Sequence, residues 1–295
     1  MKFEGIITAM VTPLNADETI NLDATEKLVN QLIEAGVNGL FILGTNGEAH
    51  LLSEESKLIF AKKVIETVAN RVPVIVGVGM NSTNEVIKLS KKMEELKADA
   101  LSIITPYFIP VTQQELVKHY RTIADATSLP ILLYNMPSKT GVNIEPQTVL
   151  ELSEHKRIVG IKDSSGDFEN MKAYLEITRN NDEFYVLSGS DSKILDLLEV
   201  GGNGGVTALS NVIPETFIEL YECWKNNKLV KAQELQSSIE PLRNILKSST
   251  IPSSLKYCVT ISGLNVGRAC KPILDPTSKA KLVIEKTLKR YDKNE

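Results

Sequence analysis

The chain has 295 residues, of which 42% are hydrophobic and 24% charged, the balance of a folded globular protein rather than a disordered or fibrous one. Its formal net charge is −4. No basic stripe and no long block of one charge is present, which argues against a nucleic-acid surface or an electrostatic tail.

The three cysteines, Cys223, Cys258 and Cys270, lie far apart and fit neither a disulfide framework nor a zinc spacing. They read as reduced thiols. The opening apolar run is too short for a signal peptide, and no stretch approaches a membrane span. A soluble cytoplasmic protein is expected, long enough for one barrel of roughly 250 residues or more.

Eight short β-rich runs recur along the chain, at 5–11, 39–43, 74–78, 100–104, 131–134, 158–162, 185–188 and 205–209. Each is followed by an amphipathic pattern of helical period. Gly36, Gly201 and Gly202 mark helix ends, because glycine takes the left-handed conformation cheaply. Ser53 precedes two glutamates, and Ser82 to Glu85 and Thr112 to Glu115 match the capping box, in which side chain and backbone satisfy each other's orphan N–H groups. Pro146 and Pro276 suit a first helical position.

Alternating strands and helices imply parallel strands with right-handed crossovers, and eight such units favour a closed (β/α)8 TIM barrel of the α/β class. An open doubly wound sheet would bring a glycine-rich phosphate loop after its first strand, and Met10-Val11-Thr12-Pro13-Leu14 is not one. The barrel is expected over 1–225. A C-terminal helical extension is expected over 226–295, packed on the barrel as one structural unit. Within it Ser248 to Ser254 reads as a loop.

Barrel enzymes carry their chemistry at the C-terminal ends of the strands, and three of these ends are unusual. The second runs into Gly44-Thr45-Asn46-Gly47-Glu48, the fifth into Tyr134-Asn135-Met136-Pro137-Ser138-Lys139-Thr140-Gly141, and the sixth into Gly160-Ile161-Lys162-Asp163. Period-two alternation puts Lys162 on the same side as Gly160 and Ile158, and the glycine leaves room for a long side chain. Partial desolvation there disfavours the ammonium and leaves a neutral amine, a nucleophile for a ketone carbonyl. A lysine that ends a strand and snorkels to water would look the same.

Tyr134 can present a hydroxyl to the same mouth as a proton relay, or be a core aromatic with one hydrogen bond. The turn at Gly44 to Gly47 offers N–H groups and a hydroxyl suited to a carboxylate, though a glycine-rich turn alone is a weak signal. His50, His119 and His155 show no metal-ligand spacing, and no metal or organic cofactor is expected.

Taken together, from about Gly5 to Pro272, these strand ends resemble the dihydrodipicolinate synthase and N-acetylneuraminate lyase family of class I aldolases. Its glycine-threonine/serine-x-glycine-glutamate, tyrosine-asparagine-x-proline and glycine-x-lysine motifs stand at 44–48, 134–137 and 160–162. The resemblance implies that Lys162 forms an imine with pyruvate and that Tyr134 moves protons. It also implies that Thr45, with the backbone of Thr45, Asn46 and Gly47, holds the pyruvate carboxylate. Val206 matches the residue whose carbonyl lies beside the lysine. Implied partners are pyruvate and an aldehyde, with no nucleic acid or membrane, and a homotetrameric assembly.

Three positions bear on the aldehyde. Lys139 stands where the synthase branch, which joins pyruvate to aspartate semialdehyde on the route to lysine, has an arginine for the aldehyde's carboxylate. It keeps the charge but not the bidentate fork. Phe108 replaces that branch's interface tyrosine, and Asn46 replaces a threonine, which leans toward aldolases of 2-oxo-3-deoxy sugar acids or sialic acid. The charge kept at Lys139 leans toward the synthase, and the resemblance makes condensation of pyruvate with aspartate semialdehyde the leading expectation, with an aldolase as the alternative and a metabolite-binding protein without catalysis as a remote third.

Overall fold

The computed structural model describes residues 2–291; residue 1 and residues 292–295, the outermost positions of the two expected ranges, lie outside the described residues. Eight parallel strands close on themselves in sequence order: β1 (Gly5–Ala9), β2 (Gly39–Ile42), β3 (Val74–Gly77), β4 (Ala100–Ile104), β5 (Ile131–Asn135), β6 (Ile158–Asp163), β7 (Tyr185–Ser188) and β8 (Gly204–Thr207). Helices alternate with them: α1 (Leu22–Glu34), α2 (Glu54–Val68), α3 (Thr83–Glu95), α4 (Gln113–Ala126), the short α5 (Pro137–Thr140), α6 (Pro146–Ser153), α7 (Phe168–Thr178), α8 (Ile194–Glu199) and α9 (Pro214–Lys225). Three further helices follow, α10 (Leu229–Leu246), α11 (Ile251–Ile261) and α12 (Ser278–Leu288). The expected TIM barrel with C-terminal helices is what the chain forms.

Strand alternation divides the core in two. Ile7, Phe41, Ile75, Leu132, Leu187 and Val206 fill the barrel interior, while Ile6, Leu40, Ile42, Val74 and Val76 join the larger cluster between sheet and helices. Strands buried on both faces need such apolar runs. At the lower end, Phe3 and Tyr185 close the interior with rings edge-to-face at 5.7 Å.

Several local expectations need correction. Thr112 and Glu115 form the full capping box, but Ser82 caps α3 by position, with no side-chain hydrogen bond. Thr277 caps α12, so Pro276 lies before that helix rather than in its first turn. The expected loop at 248–254 is shorter, because α11 begins at Ile251 with Pro252 in its first turn. The eighth strand ends at Thr207, where the chain tightens into a 3-10 turn at Leu209–Asn211. Finally, the β5–β6 register slips at Ile131/Leu132. One irregularity flips the alternation, so Ile158 joins the outer cluster while Val159 packs on the inner one.

Candidate active site

Tyr134 and Lys162 are register partners on β5 and β6, so both rise into the barrel mouth side by side. The next residue on each strand points the other way and anchors it. Asn135 donates to Asp163 at 3.1 Å and to Tyr174 at 3.2 Å, and accepts from the Ile144 N–H at 3.0 Å. Asp163 also accepts from Ser165 N–H and from Asn170. A satisfied buried network of this kind fixes the two strand ends against each other.

Lys162 is 4% exposed. Its Nζ lies 4.0 Å from the Tyr134 ring centroid and 4.3 Å from that of Phe41, and the two rings meet edge-to-face. Ring faces of this sort attract a cation. The room for this side chain comes from Gly189, just after β7: a Cβ there would stand 3.0 Å from Lys162 Cε and 2.0 Å from Ser164 Oγ. Gly160 serves otherwise, since its missing Cβ would collide with the Tyr185 carbonyl at 2.4 Å and with Leu132.

Across the mouth, the Thr45 and Tyr134 hydroxyls are 3.1 Å apart, and the Tyr134 hydroxyl also donates to Met136 Sδ at 3.1 Å. The loop that carries Thr45 is held from beneath. Thr12 Oγ1 donates to the Gly47 carbonyl at 2.7 Å. Glu48, in the left-handed region at φ 57, turns its carboxylate inward to the Cys270 N–H at 2.6 Å and to Lys256 Nζ at 2.6 Å. Both charges are sealed from solvent, at 0% and 1% exposure. Lys256 further donates to the Arg268 carbonyl at 2.8 Å. Burial pulls the Lys256 ammonium below the ordinary lysine range, and the Glu48 carboxylate pushes it back up.

A cavity of about 250 Å³ opens over Lys162 and is also lined by Thr45, Asn46, Gly47, Tyr134 and Val206. Six of the seven expected site residues therefore converge. Lys139 lines a neighbouring cavity of about 360 Å³, together with His50, Lys57 and Tyr107, which meets the first at Thr45 and Tyr134. Sequence reasoning missed Phe41, Met136, Ser164, Asp191 and Arg243, which line the Lys162 cavity as well. Met136 was in view as the variable position of its motif. Arg243 carried no signal, lying on α10 far down the chain.

His119 is buried against Thr83 Oγ1 at 2.8 Å, and His155 meets Asp125 at 3.2 Å. Among the described residues no three His, Cys, Asp or Glu side chains are arranged to hold a metal ion, and no helix is long and apolar enough to cross a membrane.

A model of the dihydrodipicolinate synthetase family matches residues 2–291. The chain belongs to that family. Membership makes it an enzyme, and near relatives of this dihydrodipicolinate synthetase family member span almost its full length. It is 36% identical over 285 residues to 4-hydroxy-tetrahydrodipicolinate synthase 1 of Halalkalibacterium halodurans, covering 97% of this chain and 96% of that one. Against the 4-hydroxy-tetrahydrodipicolinate synthase of Thermodesulfovibrio yellowstonii it is 39% identical, covering 88% and 89%. Among solved structures, dihydrodipicolinate synthase DapA-2 from Bacillus anthracis superposes with a TM-score of 0.95 at 35% identity, covering 98% of each chain. YagE of Escherichia coli K12, a prophage protein of the same family in complex with pyruvate, also gives 0.95, at 28% identity and 98% and 99% coverage.

Proposed function

We propose that this enzyme joins pyruvate to L-aspartate 4-semialdehyde through an imine on Lys162, the 4-hydroxy-tetrahydrodipicolinate synthase reaction of its relatives. The observation that carries the reading is the buried Lys162 amine beside a linked Thr45–Tyr134 hydroxyl pair, above the closed floor of the barrel. The Lys162 amine adds to pyruvate C2, and loss of water leaves a protonated imine. That cation draws electrons from the methyl group, which gives up a proton and becomes an enamine carbon nucleophile.

The rings of Phe41 and Tyr134 flank the place where the positive charge develops, and Tyr134 carries protons between methyl, aldehyde oxygen and solvent. Thr45 and the backbone of Thr45, Asn46 and Gly47 receive the pyruvate carboxylate, and Val206, which lines the same cavity, turns its backbone carbonyl to the lysine. The enamine attacks the aldehyde carbon, whose oxygen takes up a proton. The substrate's own amine then displaces Lys162 from the imine, closes the ring and frees the enzyme.

Incubation with pyruvate and borohydride, followed by peptide mass spectrometry, tests this chemistry. A reduced pyruvyl adduct on the Lys162 peptide is expected; folded enzyme without it refutes the imine. Activity with aspartate semialdehyde is then followed by formation of the cyclic product.

One observation favours a second aldehyde. Phe108, 89% exposed on the loop after β4, has no hydroxyl to extend the Thr45–Tyr134 pair. An aldolase releasing pyruvate from a 2-oxo-3-deoxy sugar acid fits that departure. Phe108→Tyr separates the two: a gain of roughly a hundredfold or more in synthase rate, about what one proton-relay group supplies at the low end, supports the synthase, and no gain supports the aldolase. The expected homotetramer is tested by light scattering of the eluted protein.

A further inference from the structure

Helix α10 belongs to the C-terminal helices, yet its last turn and its C-cap residue Lys247 close one side of the Lys162 cavity, where Arg243, Leu246 and Lys247 form part of the wall. Two cations four residues apart on a helix lie on one face. Arg243 is 30% exposed and pairs with Glu240, three residues earlier, at 3.5 Å. That is a long contact between partly solvated groups and leaves most of the guanidinium's five donors uncommitted.

Asp191, the carboxylate on the same cavity wall, is already engaged. Its oxygens accept from the Ala208 N–H at 3.0 Å and the Leu209 N–H at 2.9 Å, capping the chain after β8. Burial pushes its carboxyl up, and the nearby Arg243 and Lys162 are among the groups pulling it down. Arg243 therefore brings a largely unspent, fork-shaped cation to the wall of the cavity that holds the nucleophile. Lys139, the cation that the family resemblance nominates, is in the adjoining cavity and offers a single ammonium.

We propose that Arg243, with Lys247 beside it, is the specificity-determining group that receives a carboxylate on the aldehyde substrate. A guanidinium binds a carboxylate in two parallel hydrogen bonds, which orients as well as attracts it. The enamine formed on Lys162 would then meet an aldehyde held by its far end, and uncharged aldehydes of the same length would lack that hold. This inference rests on the imine chemistry proposed above and on an aldehyde that carries a carboxylate, as aspartate semialdehyde does.

The test uses the full-length enzyme, pyruvate, and two four-carbon aldehydes that differ in one group, succinic semialdehyde and butanal. Preference is the ratio of their kcat/KM values, and pyruvate trapping by borohydride is followed in parallel. Arg243→Ala is expected to lower the preference by roughly tenfold to a hundredfold, the loss of one charge-assisted contact, through KM for the charged aldehyde. Trapping of pyruvate stays at the wild-type rate, and Arg243→Lys retains part of the preference. The proposal is overturned by wild-type enzyme showing no preference, by an unchanged preference in Arg243→Ala, or by Lys139→Ala causing an equal or larger loss. Equal falls for both aldehydes and for trapping would assign Arg243 a structural role and also overturn it. Failure of the imine itself would appear separately, as no adduct in the wild-type protein.

Discussion

At the residue scale, Gly189 and Tyr134 act on Lys162 from two sides and should fail in different ways when changed. A methyl group at 189 would press on the Asp163 carbonyl at 2.9 Å as well as on Lys162 Cε, and the carbonyl belongs to a strand that cannot yield. Gly189→Ala should displace the amine and slow pyruvate trapping roughly a hundredfold, as misplacement of a reacting group by about 1 Å does; trapping at the wild-type rate would show that the side chain has slack. Tyr134→Phe keeps the ring against Lys162 but loses the hydroxyl shared with Thr45. Its adduct should still form while turnover falls by about 10²–10⁴, measured as product release against adduct yield.

Glu48 and Lys256 link two elements that are remote in sequence, the loop after β2 and helix α11. Because both are buried, removal of one leaves the other charged and unpaired. Lys256→Met should cost about 3–5 kcal/mol in chemical denaturation, and adding Glu48→Leu should recover much of it. If the single and double variants are equally unstable, the charge pairing is not what matters there.

The interface of α3 and α4 carries its own titration. His119 is held down to about 4 by burial, below its ordinary 6.5. The folded state therefore binds this proton less readily than the unfolded chain. The resulting stability is complete above pH 6.5 and drains away as pH falls toward 4, on the order of 3 kcal/mol at the limit. Thermal melts at pH 7 and pH 5 should show wild type losing more than His119→Gln.

These elements also show what could be seen in the chain beforehand. All eight strands announce themselves as apolar runs, and Lys162, Tyr134 and Thr45 stand at strand ends where a barrel puts its chemistry. The register slip that turns Ile158 outward leaves no mark, because Ile158 and Val159 are equally apolar. Nor does Gly189 differ, as a letter, from other turn glycines; its role depends on a lysine on the neighbouring strand. Glu48 belonged to a recognised motif, but its partner lies on a helix with ordinary amphipathic spacing. Contacts between distant segments carry no local pattern.

Across the whole molecule, the C-terminal helices contribute to the site rather than decorate the barrel. Ile239, Leu242 and Leu246 of α10 and Leu255 and Cys258 of α11 are buried in the same core as the barrel's outer face. The Leu14 N–H bonds to the Val266 carbonyl at 3.0 Å, so the tail also ties down the chain after β1. We expect a chain ended after α9 to aggregate and to trap no pyruvate, which solubility and mass spectrometry would check. A soluble, pyruvate-trapping fragment would make the extension a separable part.

Phe3 and Tyr185 stopper the barrel's floor, and a tube stoppered at one end imposes a queue. Whatever reacts with Lys162 must arrive first, because the molecule that follows shuts the passage behind it. Departure runs in reverse, with the last arrival's atoms leaving ahead of, or joined to, the first. An aldehyde supplied in excess should therefore block the doorway to its own co-substrate, and initial rates at low pyruvate should fall as aldehyde rises.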